Sequence, residues 1–176
     1  MDAPILDVRD VSLSFRGVKA LSELSFSVAR REICALIGPN GAGKSSLLNI
    51  INGVYRASSG EIIFDGEPFQ RPTPMSAAQR GIGRTFQNNA LFHRMSVIDN
   101  VLIFEVIQRL NQDEGVSFLL AEQNAHLVLR YAHHGVVLEN GRVAASGPAA
   151  ELAARDDVSD FYLGGTNPHR PVHLRG

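Results

Sequence analysis

The chain reads Gly38-Pro39-Asn40-Gly41-Ala42-Gly43-Lys44-Ser45 directly after the apolar run Ile33-Cys34-Ala35-Leu36-Ile37. A glycine, four residues and then Gly-Lys-Ser form the pattern of a phosphate-binding loop. Such a loop needs a buried strand before it and a helix after it, because its backbone N–H groups and the helix N-terminus together face an anion. The apolar run predicts the strand, and the spacing of Leu47, Leu48 and Ile51 predicts the helix. The stretch therefore predicts an α/β fold of the P-loop NTPase class.

The residue types of the loop indicate a division of roles. Lys44 is expected to reach the β- and γ-phosphates of a nucleotide as a point charge, and the Ser45 hydroxyl to bind Mg²⁺. Gly41 and Gly43 allow the main chain to approach the phosphates closely. A glycine-rich turn between strand and helix that holds no ligand is the alternative interpretation of the same residues.

The sequence on both sides of the loop predicts further elements. Alternation of apolar and polar side chains over residues 5–15 predicts an antiparallel strand, and Gly17 predicts a turn into a second strand at 24–28, so an antiparallel N-terminal β layer is expected. The remaining predictions are a strand at 60–66, a loop through Pro68, Pro72 and Pro74, a strand at 81–87, a helix through Phe104, Ile107 and Leu110, a buried strand at 116–121, a helix at 125–134, a hairpin turning at Asn140-Gly141, and a helix at 148–154.

Composition bounds the class of protein. The 176 residues, 44% of them hydrophobic, are enough for one core but few for two. Seventeen basic and eighteen acidic residues leave a net charge of −1, which gives no case for a nucleic-acid partner. Cys34 is the only cysteine, so an internal disulfide is excluded and a reducing compartment is favoured. Without a leader pattern or about 18 consecutive apolar residues, the chain is expected to be cytoplasmic.

The loop in its full form, 38–46, resembles that of the nucleotide-binding subunits of ATP-binding cassette (ABC) transporters. The resemblance implies ATP and Mg²⁺ as cofactors. Phe15 matches the aromatic that stacks on adenine, Gln87 matches the glutamine that touches Mg²⁺ and faces the membrane partner, and Gln123 stands where many members have a histidine that contacts the γ-phosphate. The nucleotide-binding set implied is Phe15, Gly38, Asn40, Gly41, Ala42, Gly43, Lys44, Ser45, Ser46, Gln87 and Gln123, with Ser45 and Gln87 on the metal.

Two segments look most like subunits of branched-chain amino-acid importers: residues 84–101, and residues 119–125 with the hairpin that follows. The resemblance implies two partners, a membrane permease subunit and a second ATP-binding subunit. It also implies a cytoplasmic location, peripheral on the inner face of the cell membrane.

The sequence departs from the family between Gln87 and Gln123. Only 35 residues separate them, and neither a Leu-Ser-Gly-Gly-Gln-like signature nor an apolar strand ending in Asp-Glu occurs there. The resemblance to the ABC family implies an internal deletion with a junction near Leu102 and a helical subdomain that is largely absent. It also implies a shortened ATP-binding domain over 1–163, followed by a flexible tail over 164–176. Residues 101–105 could form an acidic strand ending at Glu105, but helical spacing explains them equally. Hydrolysis is thus expected to be impaired, and no catalytic residue is assigned.

Two other functions compete with a transporter subunit. A non-catalytic nucleotide-binding fragment or relic of such a gene fits the same motifs. A small P-loop phosphotransferase would need arginines gathered in a lid, whereas Arg84, Arg94 and Arg109 are scattered. The histidines are assigned no function: His126, His133 and His134 are expected to have surface or packing roles, and His169 and His173 to be solvent-exposed.

Overall fold

The computed structural model describes residues 3–69, 72–84 and 97–155. The elements are β1 (Leu6–Phe15), β2 (Val18–Val28), β3 (Ile33–Ile37), α1 (Lys44–Ile51), β4 (Ser59–Phe64), β5 (Glu67–Pro68), α2 (Pro74–Gln79), α3 (Val97–Glu114), β6 (Phe118–Glu122), α4 (Ala125–Leu129), β7 (His134–Glu139), β8 (Arg142–Pro148) and α5 (Ala149–Ala153). No helix in these ranges is both long enough and apolar enough to cross a bilayer.

The first sheet is antiparallel, with strand order β2-β1-β4-β5. Alternate residues of β1 are buried on either side of a register shift between Val8 and Val11, as the period-2 pattern of its sequence requires. The predicted antiparallel N-terminal layer is therefore confirmed. Strand β2 begins six residues earlier than the sequence predicted, because Val18 pairs with Phe15 directly across the turn at Gly17.

The second sheet has the order β6-β3-β7-β8 and carries the loop. Strand β3 lies parallel to both β6 and β7, and all five of its residues are buried. Ile37, the last residue of β3, is in register with Glu122 on one side and Val137 on the other. The α/β class predicted from the sequence is confirmed by this arrangement.

Two apolar clusters lie on opposite faces of β3. Cys34 and Leu36 contribute to the cluster shared with α1 and the first sheet, whereas Ala35 and Ile37 contribute to the cluster with α3, α4 and α5. In the second cluster Phe104 stacks on Tyr131, with ring centroids 4.9 Å apart. Burial of β3 on both faces explains why its sequence is continuously apolar rather than alternating.

Strand β6 differs from the prediction of a buried strand at 116–121. All five of its residues are half-buried, and β3 is its only paired neighbour among the described residues. A strand at the end of a sheet is covered less completely than a central one, so an apolar sequence alone does not establish full burial. Asn111 of α3 anchors the start of β6, since its amide donates to the Arg31 and Val116 carbonyls.

Two short segments contradict the predicted secondary structure. The predicted loop through Pro68, Pro72 and Pro74 overlaps β5 at Pro68 and α2 at Pro74. Thr73 is the N-cap of α2, and Ser76 completes a reciprocal capping box. Residues 81–84 form no strand, and residues 85–87 of that prediction lie outside the described ranges. Proline is favoured at the first helical position, which explains why Pro74 begins α2 instead of lying in a loop.

The helix predicted at 125–134 ends at Leu129 instead. Backbone pairing replaces its last turn, because the His133 N–H donates to the Ile33 carbonyl at 2.8 Å. The Ile33 N–H in turn donates to His133 Nδ1 at 3.0 Å. These bonds give His133 the packing role that the sequence suggested, in a different backbone conformation.

Helix α3 extends beyond the predicted apolar stripe to cover 18 residues. Glu105 is exposed on this helix, so the interpretation of 101–105 as an acidic strand is wrong. Leu102, the predicted junction, also lies within α3 and is exposed. The predicted tail at 164–176 lies outside the described residues, and the domain limits stay a prediction.

Candidate nucleotide-binding site

The phosphate-loop sequence connects the carboxyl end of β3 to the start of α1. Gly38 is buried against β7, where a Cβ atom would lie 2.4 Å from the Leu138 carbonyl oxygen. Asn40 and Gly41 are exposed, whereas Ala42 is buried. The loop is thus held at its base and open at its tip.

Lys44 is the first residue of α1, and its side chain folds back over the loop. Its Nζ donates to the Gly38 carbonyl and, at 3.0 Å, to the Pro39 carbonyl. Burial lowers the pKa of Lys44, and the nearby Glu122 carboxylate opposes that change. The loop therefore encloses an ammonium group whose three donors can rearrange toward an anion.

The beginning of α1 offers backbone donors. Gly43 is the N-cap, has a φ of 105°, and provides no side-chain cap for the first-turn N–H groups. Ser45 and Ser46 follow in this turn, and the Ser45 side chain is exposed. Uncapped N–H groups, an ammonium and a hydroxyl are a donor set that fits a phosphate with its bound Mg²⁺.

Glu122 is a residue of this site that the sequence reasoning missed. It ends β6 in register with Ile37, one residue before Gly38. Burial raises the pKa of Glu122, while the Gln123 backbone N–H and the Lys44 charge act in the opposite direction. The signal for it was its position, because carboxyl ends of adjacent parallel strands converge at one edge of a sheet.

Of the predicted site residues outside the loop, Phe15 and Gln123 lie in the described part of the chain and Gln87 does not. Gln123 follows β6 and is exposed at the same sheet edge as the loop. Phe15 ends β1, is 43% exposed, and packs edge-on against Tyr55 with ring centroids 5.2 Å apart. Gln87 lies outside the described residues. The structure therefore brings 38–46 and the end of β6 together and leaves the metal role of Gln87 as a prediction.

The histidines do not form a metal site in the described ranges. His134 Nε2 lies 2.9 Å from Ser146 Oγ, and His126 is on the exposed side of α4. No group of three or more His, Cys, Asp or Glu side chains in the described part of the chain is arranged to hold a metal ion. His169 and His173 lie outside that part.

Comparison with known proteins supports a single family. A sequence profile of the family described as ABC transporter matches residues 21–150. The chain is 37% identical over 103 residues to the high-affinity branched-chain amino acid transport ATP-binding protein BraF of Pseudomonas aeruginosa, covering 58% of this chain and 40% of that protein. It is 34% identical over 162 residues to the galactofuranose transporter ATP-binding protein YtfR of Escherichia coli, covering 89% and 32%. A ribose import ATP-binding protein of a Jannaschia species is 41% identical over 102 residues, covering 58% and 20%.

The chain therefore spans between a fifth and two fifths of the length of these relatives. Among solved structures, a nucleotide-free ATP-binding cassette from an ABC transporter aligns with a TM-score of 0.78 at 21% identity, covering 93% of this chain and 100% of that one. A dimeric bacterial ABC transporter cassette aligns with a TM-score of 0.69 at 13% identity, covering 82% and 98%. At these identities the solved structures support the fold.

Proposed function

This chain belongs to the ABC transporter family, and from that premise we propose that it is the ATP-binding subunit of such a transporter, with Mg²⁺-ATP held by residues 38–46. The observation that carries the proposal is the position of Lys44. Its ammonium group, half-buried and bonded to the carbonyls of its own loop, lies at the start of α1 where the first-turn N–H groups have no side-chain cap. A positive charge and uncapped N–H groups in one loop favour a polyphosphate.

The other residues of the predicted set would complete the nucleotide site. Phe15 would stack on the adenine, because its ring is exposed at the end of β1 and steadied by Tyr55. Ser45 and Gln87 would hold Mg²⁺, and Gln123 would donate its amide to the terminal phosphate. When bound, the metal would neutralise charge on the phosphate oxygens.

We further propose uptake of branched-chain amino acids as the role of the whole transporter. Support comes from residues 84–101 and 119–125 and from the similarity to BraF. ATP-binding proteins of sugar importers are similar to this chain to a comparable degree, so overall similarity does not distinguish the solutes. The choice of branched-chain amino acids therefore rests on residues 84–101 and 119–125. The proposed partners are a membrane permease, contacted around Gln87, and a second ATP-binding subunit, at the inner face of the cell membrane.

We also propose that an internal deletion impairs ATP hydrolysis in this chain. The sequence between Gln87 and Gln123 contains neither a signature motif nor an apolar run ending in Asp-Glu, and Glu105 is exposed on α3. Transfer of a phosphoryl group to water needs a group that orients the water and charges that stabilise the transition state. The alternative, a non-catalytic fragment or relic of such a gene, shares the binding site. Neighbouring permease genes and an in-frame missing block in the surrounding DNA would favour the transporter role.

Calorimetry with Mg²⁺-ATP tests nucleotide binding. We expect Lys44→Ala to weaken binding at least tenfold, equivalent to about 1.4 kcal/mol. The matched control is Arg130→Ala, which removes an exposed positive charge at the end of α4 and should leave the affinity unchanged. Equal affinity of Lys44→Ala and the parent chain would reject the assignment.

Steady-state phosphate release tests the loss of hydrolysis. We expect no turnover that distinguishes the chain from its Lys44→Ala variant, which also controls for contaminating ATPases. Removing several transition-state contacts at about 3 kcal/mol each lowers the rate by many powers of ten. Lys44-dependent turnover of about one per second, an ordinary enzymatic rate, would contradict the proposal and make Glu122 the candidate general base.

A further inference from the structure

The tip of the β7–β8 hairpin lies between the phosphate loop and the first sheet. The Gly141 N–H donates to the Ala42 carbonyl in the loop at 3.0 Å. The Gly141 carbonyl accepts from the Ser22 N–H of β2 at 2.9 Å. The N–H and C=O groups of Gly141 therefore connect the phosphate loop to strand β2 of the first sheet through two hydrogen bonds.

At Gly43 and Gly141, the phosphate loop, the hairpin tip and β2 lie too close together to leave room for a side chain. A Cβ on Gly141 would lie 2.5 Å from the Ala20 carbonyl oxygen and 3.0 Å from the Leu21 Cα. A Cβ on Gly43 would lie 3.1 Å from the same Ala20 oxygen and 2.5 Å from Leu21 Cδ2. Because two of these obstacles are backbone atoms, neither can yield by a change of rotamer, and the segments would have to separate.

We propose that Gly141 is a positioning residue for the nucleotide site: it fixes Ala42 and Gly43, and through them Lys44, against β2. This inference rests on the proposed binding of Mg²⁺-ATP by the loop. Lys44 directly follows Gly43, so a shift of Gly43 moves the start of α1. Binding sites require their groups to be held within about 0.5 Å, which is less than the displacement that a Cβ at Gly141 demands.

The chain contains a matched control for Gly141. Asn140 and Gly141 have φ values of 48° and 75°, and the turn at Asp65 and Gly66 has nearly the same values, 55° and 79°. Alanine at either glycine meets the same backbone strain. A Cβ on Gly66 has no atom within 4 Å, whereas one on Gly141 collides with β2. Comparing the two variants separates the effect of the close contact with β2 from the effect of backbone strain in the turn.

Calorimetric titration of both variants with Mg²⁺-ATP tests the proposal, with the folded fraction measured by circular dichroism. We expect Gly141→Ala to weaken the affinity of the folded protein at least about fivefold, and Gly66→Ala to change it less than about twofold, from the 0.5 Å tolerance of such sites. A purely structural effect would lower the number of binding sites and leave their affinity unchanged. Equal affinities of the two variants would overturn the role of Gly141.

Amide hydrogen exchange of the unmodified chain provides a test that does not depend on folding of a variant. We expect saturating Mg²⁺-ATP to slow exchange of the Gly141 N–H, which is bonded to the loop, and to leave the Gly66 N–H unchanged. Unchanged exchange at Gly141 in a chain that binds Mg²⁺-ATP would overturn the inference alone. Failure of the unmodified chain to bind Mg²⁺-ATP would instead reject the proposed function, and this inference with it.

Discussion

Replacement of Asn111 by alanine is expected to destabilise the junction between α3 and the second sheet. The Asn111 side chain is 6% exposed, and its amide nitrogen donates to the Arg31 carbonyl and to the Val116 carbonyl, each at 2.8 Å. These bonds join the last turn of α3 to the segments that lead into β3 and β6. Asn111→Ala would remove both donors and leave two carbonyls without them.

The magnitude follows from the two bonds. Each intramolecular hydrogen bond contributes about 1 kcal/mol net, and the two carbonyls that lose a donor belong to exposed residues, so no further penalty for a buried unpaired group is added. Loss of both bonds is therefore expected to lower the free energy of unfolding by about 2 kcal/mol. In a chain of this size, that corresponds to a melting temperature lower by roughly 4–8 °C.

Urea unfolding monitored by circular dichroism measures this loss. Gln112→Ala is the matched control, since the neighbouring amide is exposed, and it should fall within about 0.5 kcal/mol of the parent. Asn111→Asp retains the shape but offers acceptors to two carbonyls, so it should be at least as unstable as Asn111→Ala. A loss below about 0.5 kcal/mol for Asn111→Ala, the range of surface substitutions, would refute the reasoning.

Two further predictions concern titratable groups, the buried Cys34 and the half-buried Glu122. Cys34 is fully buried, and burial, with a smaller effect of Glu32, raises its pKa to about 12. We expect iodoacetamide at pH 8 to modify Cys34 only in urea, as followed by mass spectrometry; rapid modification of the native chain would contradict its burial. Burial also raises the pKa of Glu122 in the folded chain above its value in the unfolded chain. The protonated carboxyl therefore stabilises the fold fully at a pH below the unfolded-state pKa, and this stabilisation is lost as the pH rises through the folded-state pKa. Glu122→Gln should therefore gain stability relative to the parent as the pH rises above the ordinary glutamate pKa of 4.5. A difference independent of pH in urea unfolding would show that Glu122 does not titrate as argued.

Local sequence determined the elements that need no distant partner. The glycine pattern at 38–45 and the apolar run before it specified a strand, a loop and a helix, because each follows from the chemistry of adjacent residues. The alternation at 5–15 likewise specified a strand with one buried face. The same local reading failed at Pro74, which starts a helix, and at His133, where a bond to Ile33 replaces the last helical turn.

Only the tertiary structure decided which residues surround the loop. The charges of Glu122 and Lys44 interact because β6 pairs with β3 in a register that sets Glu122 beside Ile37. Register depends on contacts between segments far apart in the chain. Gly141 contacts Ala42 for the same reason. A local pattern can specify that a residue ends a strand or occupies a turn, but the backbone that approaches it is selected by the packing of the two sheets.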